Sequence, residues 1–320
     1  MCTGIVFQTE DKKYIFGRTL EFGFPLTWKH MDTLNIIGTM GKFPNNSDWY
    51  LLDGVNSSGL CVGTFFYPHY DSEYSTVEKE GKLNIHTGEL NLYLLNNCNS
   101  VEEVIEILDQ INMLETNIDG ELFSLHWMVC DTSGECVVLE TKNKKLVHYD
   151  NKNKVITNSP SFPEQIENLQ NYIGLSKYNK PGSMSQGSGA VGLPGDTTAL
   201  SRFVRANFYN ENIITPRNAE EGKEGMIRIL HNFDIPLGTV QDKQDKTVEV
   251  AQYTVSYCID DFSMKYAPYG YIQEDGKWVQ TDSPVIITSF KHYLLAFVVI
   301  FCLITITPFI FSFSMKGAIF

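Results

Sequence analysis

Residues 1–22, MCTGIVFQTEDKKYIFGRTLEF, decide how this chain begins to fold. CTGIVFQT and YIFGRTLEF are rich in β-branched and aromatic residues. The charged Glu10-Asp11-Lys12-Lys13 between them has the composition of a turn, so the stretch predicts a β-hairpin. It shows no basic n-region and no apolar run of signal-peptide length, and a cysteine follows Met1 directly. The scheme returns in WYLLDGVNSSGLCVGTFFY (49–67), where Gly54 and the Asn56–Gly59 cluster read as the turn. A meander then runs from LHWMVCD (125–131) through ECVVLETK and KLVHYD to KVITN (154–158).

Helical patterns interleave with these strands. Ser100-Val101-Glu102-Glu103 has capping-box form, with Val101, Val104, Ile105 and Leu108 as an apolar stripe behind it. Further helices are predicted from Pro163 to Tyr172, Thr197 to Tyr209 and Asn218 to Phe233, and VEVAQYTVSYCIDD and PVIITSF read as closing strands. The order of strands, helices, strands, helices and strands predicts an α+β fold in which two antiparallel sheets lie between helical layers.

The chain has 320 residues, 43% of them hydrophobic and 20% charged, with a formal net charge of −13. This is globular composition, with length enough for a large core, and it excludes disordered and collagen-like chains. The acidic balance gives no positive field to collect phosphates, so nucleic acid is not an expected partner. Seven scattered cysteines suit reduced thiols in a cytosol-facing domain better than a disulfide framework.

The C-terminal segment departs from this pattern. Tyr293–Phe313, YLLAFVVIFCLITITPFIFSF, is uncharged between Lys291 and Lys316. As a helix it would span roughly 30 Å, the thickness of a bilayer core, with a kink at Pro308. The reading divides the chain into a main domain, 1–290, and a hydrophobic tail, 291–320, read first as a membrane anchor with the domain facing the cytoplasm, and otherwise as a core or interface segment or a non-native tail.

Several motifs carry less than their pattern suggests. Gly187-Ser188-Gly189-Ala190-Val191-Gly192 matches GxGxxG, but no strand precedes it and Pro194-Gly195 blocks an immediate helix, so it reads as a loop. Cys130 and Cys136, with His126 nearby, lack the spacing and ligand number of a zinc site. The sequons Asn45-Asn46-Ser47 and Asn56-Ser57-Ser58 have no secretory context. There is no G-x-S-x-G elbow. Cys2 remains. If Met1 is removed, thiol and α-amine share one residue, and the amine, with an ordinary pKa of about 8, can take the thiol proton without a histidine.

MCTG at 1–4, GRTLE at 17–21, LHW at 125–127, VITNSP at 155–160 and LPGD…SRF at 193–203 occur in this order. Together they resemble the choloylglycine hydrolase family, which holds conjugated bile acid hydrolases and penicillin V acylases of the N-terminal nucleophile hydrolase class. The resemblance runs from Cys2 to about Tyr257 and implies a four-layer αββα sandwich.

The resemblance also implies roles. Cys2 is the nucleophile, and Arg18 lies beside its thiol, where a guanidinium favours thiolate. Glu21 stands where many members have Asp holding the α-amine, one methylene longer. Asn158 and Asn84 would supply the oxyanion hole, and Arg202 completes the charge network. The implied reaction is hydrolysis of a linear carboxamide with an apolar acyl group, needing no metal or organic cofactor. Conjugated bile salts are the leading substrate class, with penicillin V or N-acyl homoserine lactone acylation as the alternative. Phe22, Phe24, Trp28, Phe65 and Tyr67 fall where family substrate loops lie. Homo-oligomers are common in the family. Glu21 and the divergent surroundings of Asn84 also motivate a reading of a different class, a catalytically weak, membrane-tethered binding protein.

Overall fold

The computed structural model describes residues 1–67, 73–118, 121–182, 185–243, 247–269, 271–274, 277–280 and 286–288. The predicted opening hairpin forms as β1 (Cys2–Gln8) and β2 (Tyr14–Phe22), in register Cys2↔Leu20 and Gly4↔Arg18. With β14 (Val155–Ile156), β15 (Val250–Cys258), β16 (Ser263–Pro268) and β19 (Ile286–Thr288) it makes an antiparallel sheet ordered β14-β1-β2-β15-β16-β19. Seven further antiparallel strands make the second sheet, ordered β13-β12-β11-β6-β5-β4-β3. They are β3 (Thr27–Asp32), β4 (Ile36–Lys42), β5 (Tyr50–Asn56), β6 (Cys61–Phe66), β11 (Leu125–Cys130), β12 (Cys136–Lys142) and β13 (Lys145–Asp150). Three short pairs complete the strands: β7 (Leu83–His86) with β8 (Ile111–Leu114), β9 (Asn117–Ile118) with β10 (Glu121–Leu122), and β17 (Tyr271–Glu274) with β18 (Lys277–Gln280).

Helices α4 (Ala199–Asn212) and α5 (Ala219–Leu230) cover the outer face of the first sheet, with α3 (Phe162–Leu169) against α4. The outer face of the second sheet carries α1 (Leu90–Asn97), and α2 (Val101–Ile107) follows it. The architecture is thus the expected αββα sandwich. Helix α2 starts where its capping sequence predicts, with the Ser100 side chain accepting from the backbone N–H of Glu103. Helix α1 is not legible in the sequence, because LNLYLLNN has no clear polar face of helical period.

Between the sheets lies a core that includes Val6, Phe16, Val55, Phe65, Met128 and Tyr257, all buried. Gly4 and Gly54 serve close approach. A Cβ on Gly4 would sit 2.4 Å from the Phe65 ring, and one on Gly54 would sit 2.8 Å from the Ile37 carbonyl. Gly54 is therefore a strand residue rather than part of the turn, which Asn56–Leu60 forms alone. Among the described residues no helix is long and apolar enough to cross a membrane, and the expected span at 293–313 lies outside them.

Phe65 in turn supports the Arg18 guanidinium, 5.0 Å from its ring centroid. Gly4→Ala should cost about 1–3 kcal/mol through overpacking. Thermal denaturation should show that loss, and Phe65→Leu in the same chain should recover part of it.

Candidate active site

Antiparallel pairing sorts the residues of the hairpin by face. Cys2, Gly4, Arg18 and Leu20 share one face, and Thr3, Thr19 and Glu21 share the other. The first set points at the second sheet. Arg18, fully buried, donates through Nη2 to Cys2 Sγ at 3.0 Å, through Nη1 to the Leu52 carbonyl at 3.3 Å and through Nε to the Thr19 carbonyl at 3.2 Å. Its Nη1 also lies 3.5 Å from Asp53 Oδ2. Burial alone would depress the guanidinium's affinity for its proton, but the neighbouring Cys2, followed by Asp53 and Glu21, more than offsets this and holds it above the ordinary range. Arg18 stays a cation against the sulfur, the arrangement that favours thiolate.

Residues on the helical side fix the backbone of the nucleophile. Arg202, projecting from α4, donates to the Cys2 carbonyl, to Thr3 Oγ1 at 2.9 Å and to Asn158 Oδ1 at 2.7 Å. Asn158 Oδ1 also accepts from the Cys2 backbone N–H at 2.7 Å, so its amide can point only one way, with Nδ2 donating to the Phe66 carbonyl at 2.8 Å. Burial lowers the proton affinity of Arg202, with Glu21 the leading charge that opposes it.

Glu21 is the anomaly. It is 1% exposed, and neither carboxyl oxygen takes a hydrogen bond. Burial raises its pKa, opposed first by the positive N-terminus and then by Arg202. In this chain Met1 extends β1 by one residue, its ammonium donating to the Glu21 carbonyl at 3.0 Å and lying 3.5 Å from Glu249 Oε2. The carboxyl is therefore buried beside the nucleophile with no charged group hydrogen-bonded to it while Met1 is present.

The structure brings Cys2, Arg18, Asn158 and Arg202 into one hydrogen-bonded cluster and places Glu21 within electrostatic reach of it. Asn84 is elsewhere. It lies on β7, where Oδ1 accepts from Lys79 N at 2.9 Å and from Asn112 Nδ2 at 2.8 Å, while Nδ2 donates to the Lys79 carbonyl at 3.0 Å. It closes the 79–84 loop, and its amide is committed there. Among the described residues no hydrogen bond joins Asn84 to the Cys2 cluster, and its side chain is bonded within the 79–84 loop and to Asn112 on β8.

Other residues hold Asn158 without having been singled out. Gln165 donates to the carbonyls of Asn158 (2.6 Å) and Pro160 (2.8 Å), across the cis Ser159–Pro160 bond. His126, of the LHW motif, has Nε2 2.9 Å from the Thr157 carbonyl and Nδ1 3.3 Å from Glu140 Oε1. A carbonyl only accepts, so Nε2 is the donor to Thr157, and Nδ1 faces the carboxyl of Glu140. His126 is a strut for the Asn158 strand, not a metal ligand. Among the described residues no group of His, Cys, Asp and Glu could hold a metal, and Cys130 faces Cys136 as a buried free thiol. Of the aromatics expected near substrate, Trp28 packs on Tyr266, Phe65 under Arg18 and Tyr67 on His126, whereas Phe22 and Phe24 stack at 5.2 Å and remain half-buried. Asp53 and its two tyrosine partners were missed, because an acid followed by glycine in a strand-turn sequence has no distinguishing pattern.

The raised pKa of Glu21 has a testable sign. Its folded-state pKa lies above its unfolded value, so ionisation opposes folding and stability falls as pH rises through the folded pKa. In protein that retains Met1, Glu21→Gln should therefore stabilise near neutral pH, with the gain shrinking towards about pH 4. Denaturant unfolding across that range measures it.

The profile of the linear amide C–N hydrolases, choloylglycine hydrolase family, matches residues 2–273. The chain is 35% identical over 278 residues to an uncharacterized protein of Paramecium bursaria Chlorella virus 1, covering 84% of this chain and 97% of that one. It is 33% identical over 299 residues to the bile salt hydrolase/transferase of Clostridium perfringens, covering 84% and 89%. Among solved structures, a variant of the conjugated bile acid hydrolase of Clostridium perfringens superposes with a TM-score of 0.73 at 27% identity, covering 91% of this chain and all of that one. With the Cys2 cluster in place, these matches assign the chain to the choloylglycine hydrolase family, hydrolases of linear amide C–N bonds.

Proposed function

We propose that this protein hydrolyses a linear amide with an apolar acyl group, using Cys2 as an N-terminal nucleophile exposed by removal of Met1. The observation that carries the reading is the 3.0 Å contact of the Arg18 cation with Cys2 Sγ, on a residue whose backbone Asn158 and Arg202 clamp from the other side. In the proposed sequence the α-amine takes the thiol proton and the sulfur attacks the amide carbonyl carbon. The tetrahedral intermediate collapses by breaking the C–N bond, and the α-ammonium returns the proton to the leaving amine. Water, deprotonated by the same amine, then cleaves the thioester.

Glu21 is poised to take the new α-ammonium. Methionine removal would give its unpartnered carboxylate a cation at the distance one strand residue allows, which offsets the cost of burying it. Asn158 has one amide N–H committed to Phe66 and a second available to a developing oxyanion.

Three features support an apolar acyl group. Phe22, Phe24 and Phe43 cluster directly after Glu21. Phe66 is 39% exposed, and its carbonyl is bonded to Asn158. The family's bile salt and penicillin V relatives act on amides of bulky apolar acids, so conjugated bile salts lead the candidates, followed by penicillin V and N-acyl homoserine lactones. The displacement of Asn84 from the cluster favours a second reading, a weakly catalytic binding protein. The two readings separate on turnover. The mature protein should release amine from a glycine-conjugated bile salt or from penicillin V. Cys2→Ser should abolish release, and Asn158→Ala should lower kcat by about 100-fold or more with a smaller effect on KM. Saturable binding without amine release across these substrates would instead support the second reading.

The segmentation of the chain is part of the proposal. Residues 1–290 form the catalytic unit, and 291–320, beyond the family match, serve as a membrane anchor for an enzyme of amphiphilic substrates, with the domain on the cytoplasmic side. Full-length protein should sediment with membranes and resist carbonate extraction, and residues 1–290 should stay in the supernatant. Co-fractionation of the truncated chain with membranes would contradict the anchor.

A further inference from the structure

Behind Arg18, on the side away from Cys2, sits a charge that the reaction as proposed does not use. Asp53 is fully buried. Its Oδ2 accepts from the Tyr253 hydroxyl at 2.5 Å and lies 3.5 Å from Arg18 Nη1, and its Oδ1 accepts from the Tyr257 hydroxyl at 2.5 Å. Asp53 belongs to β5, whereas both tyrosines belong to β15, so the cluster ties one sheet to the other directly behind the nucleophile. The register of β4 on β5 shifts between Thr39↔Asp53 and Met40↔Leu51, an irregularity of the kind that re-aims side chains beside active sites.

We infer that Asp53, held by Tyr253 and Tyr257, is a positioning and charge-balancing residue for Cys2, acting through Arg18. The guanidinium has one unit of positive charge and two anionic claimants, the Cys2 thiolate on Nη2 and the Asp53 carboxylate on Nη1. The stronger the carboxylate's claim, the less of that charge is available to the sulfur. Each tyrosine hydroxyl spreads the carboxylate's charge and weakens its claim. The inference rests on the reading of Cys2 as nucleophile.

Other charged or titratable groups around the pair are Glu21 and the N-terminus along the hairpin, Arg202 on α4, Glu249 beside the N-terminus, Tyr266 on β16 and His30 on β3. None of them receives a hydrogen bond from Arg18.

Two substitutions should move Cys2 in opposite directions. Asp53→Asn leaves Arg18 with the thiolate as its only hydrogen-bonded anion, so iodoacetamide should alkylate Cys2 faster at about pH 6, where the thiolate fraction limits the rate, by roughly threefold to tenfold. Tyr257→Phe removes one hydroxyl donor and no charge. It strengthens the carboxylate's claim and should slow the same reaction about twofold or more. The reading is the mass of the Cys2 peptide, which separates this thiol, itself buried, from the other buried cysteines.

Opposite shifts in the two folded variants support the inference. A shift of the same sign in both, or no change in either, overturns it, since lost packing alone would act alike on both. If Asp53→Asn does not fold, the sign for Tyr257→Phe decides. Alkylation needs no substrate, so failure of the proposed amide hydrolysis would show in turnover while leaving these rates intact.

Discussion

Arg18 carries a full positive charge into the space between two β-sheets, where an isolated ion would cost several kcal/mol. The surroundings compensate for it from every side: carbonyls of Thr19 and Leu52, the carboxylate of Asp53, the faces of Phe65 and Tyr253, and the sulfur of Cys2. Much of the local design follows from that placement. Gly4, having no Cβ, leaves room for the Phe65 ring, Asp53 is turned inward, and β15 contributes two tyrosines rather than two aliphatic residues at the same depth. The core at this point is polar because it must hold one cation beside one thiol.

On the other face of the same hairpin the requirement is reversed. Glu21 places a carboxyl in a buried site, which raises its pKa, and no charged group hydrogen-bonds to it while Met1 is present. A structure with an unmet carboxylate beside a strand that is one residue too long is unfinished in a specific way. Removing that residue would put an ammonium where the carboxylate needs one, and the amine so created is the base the thiol lacks. In this account maturation relieves a local electrostatic penalty and creates the catalytic base in the same step.

The strands that build the site were legible because alternation and turn residues mark them: the opening hairpin, the meander to Thr157-Asn158 and the long β15. Cys2, Arg18, Asn158 and Arg202 were legible because each stands in a short motif, and the structure joins all four. Asn84 lies apart from those four, clasping the Lys79 loop and Asn112 of the neighbouring strand, contacts that its own stretch of sequence does not announce. Asp53 and His126 act through contacts between segments far apart in the chain, which no local pattern encodes, and Gln165 reaches back within its own turn to the carbonyls of Asn158 and Pro160 with no motif to mark it. Aromatic residues near the predicted substrate loops could not be sorted into core and lining until Trp28, Phe65 and Tyr67 were seen to be occupied by other partners.

The central claim is that the sulfur of an N-terminal Cys2 becomes acylated by an amide substrate. Intact mass of the mature protein, quenched in acid within the first turnover with an excess of conjugated bile salt or penicillin V, tests it most directly. The account predicts a chain lacking Met1 that gains the mass of the acyl group, carried on the N-terminal peptide and released by hydroxylamine. A chain that retains Met1, or amine release from the mature protein with the acyl group carried on any residue other than Cys2, would contradict it.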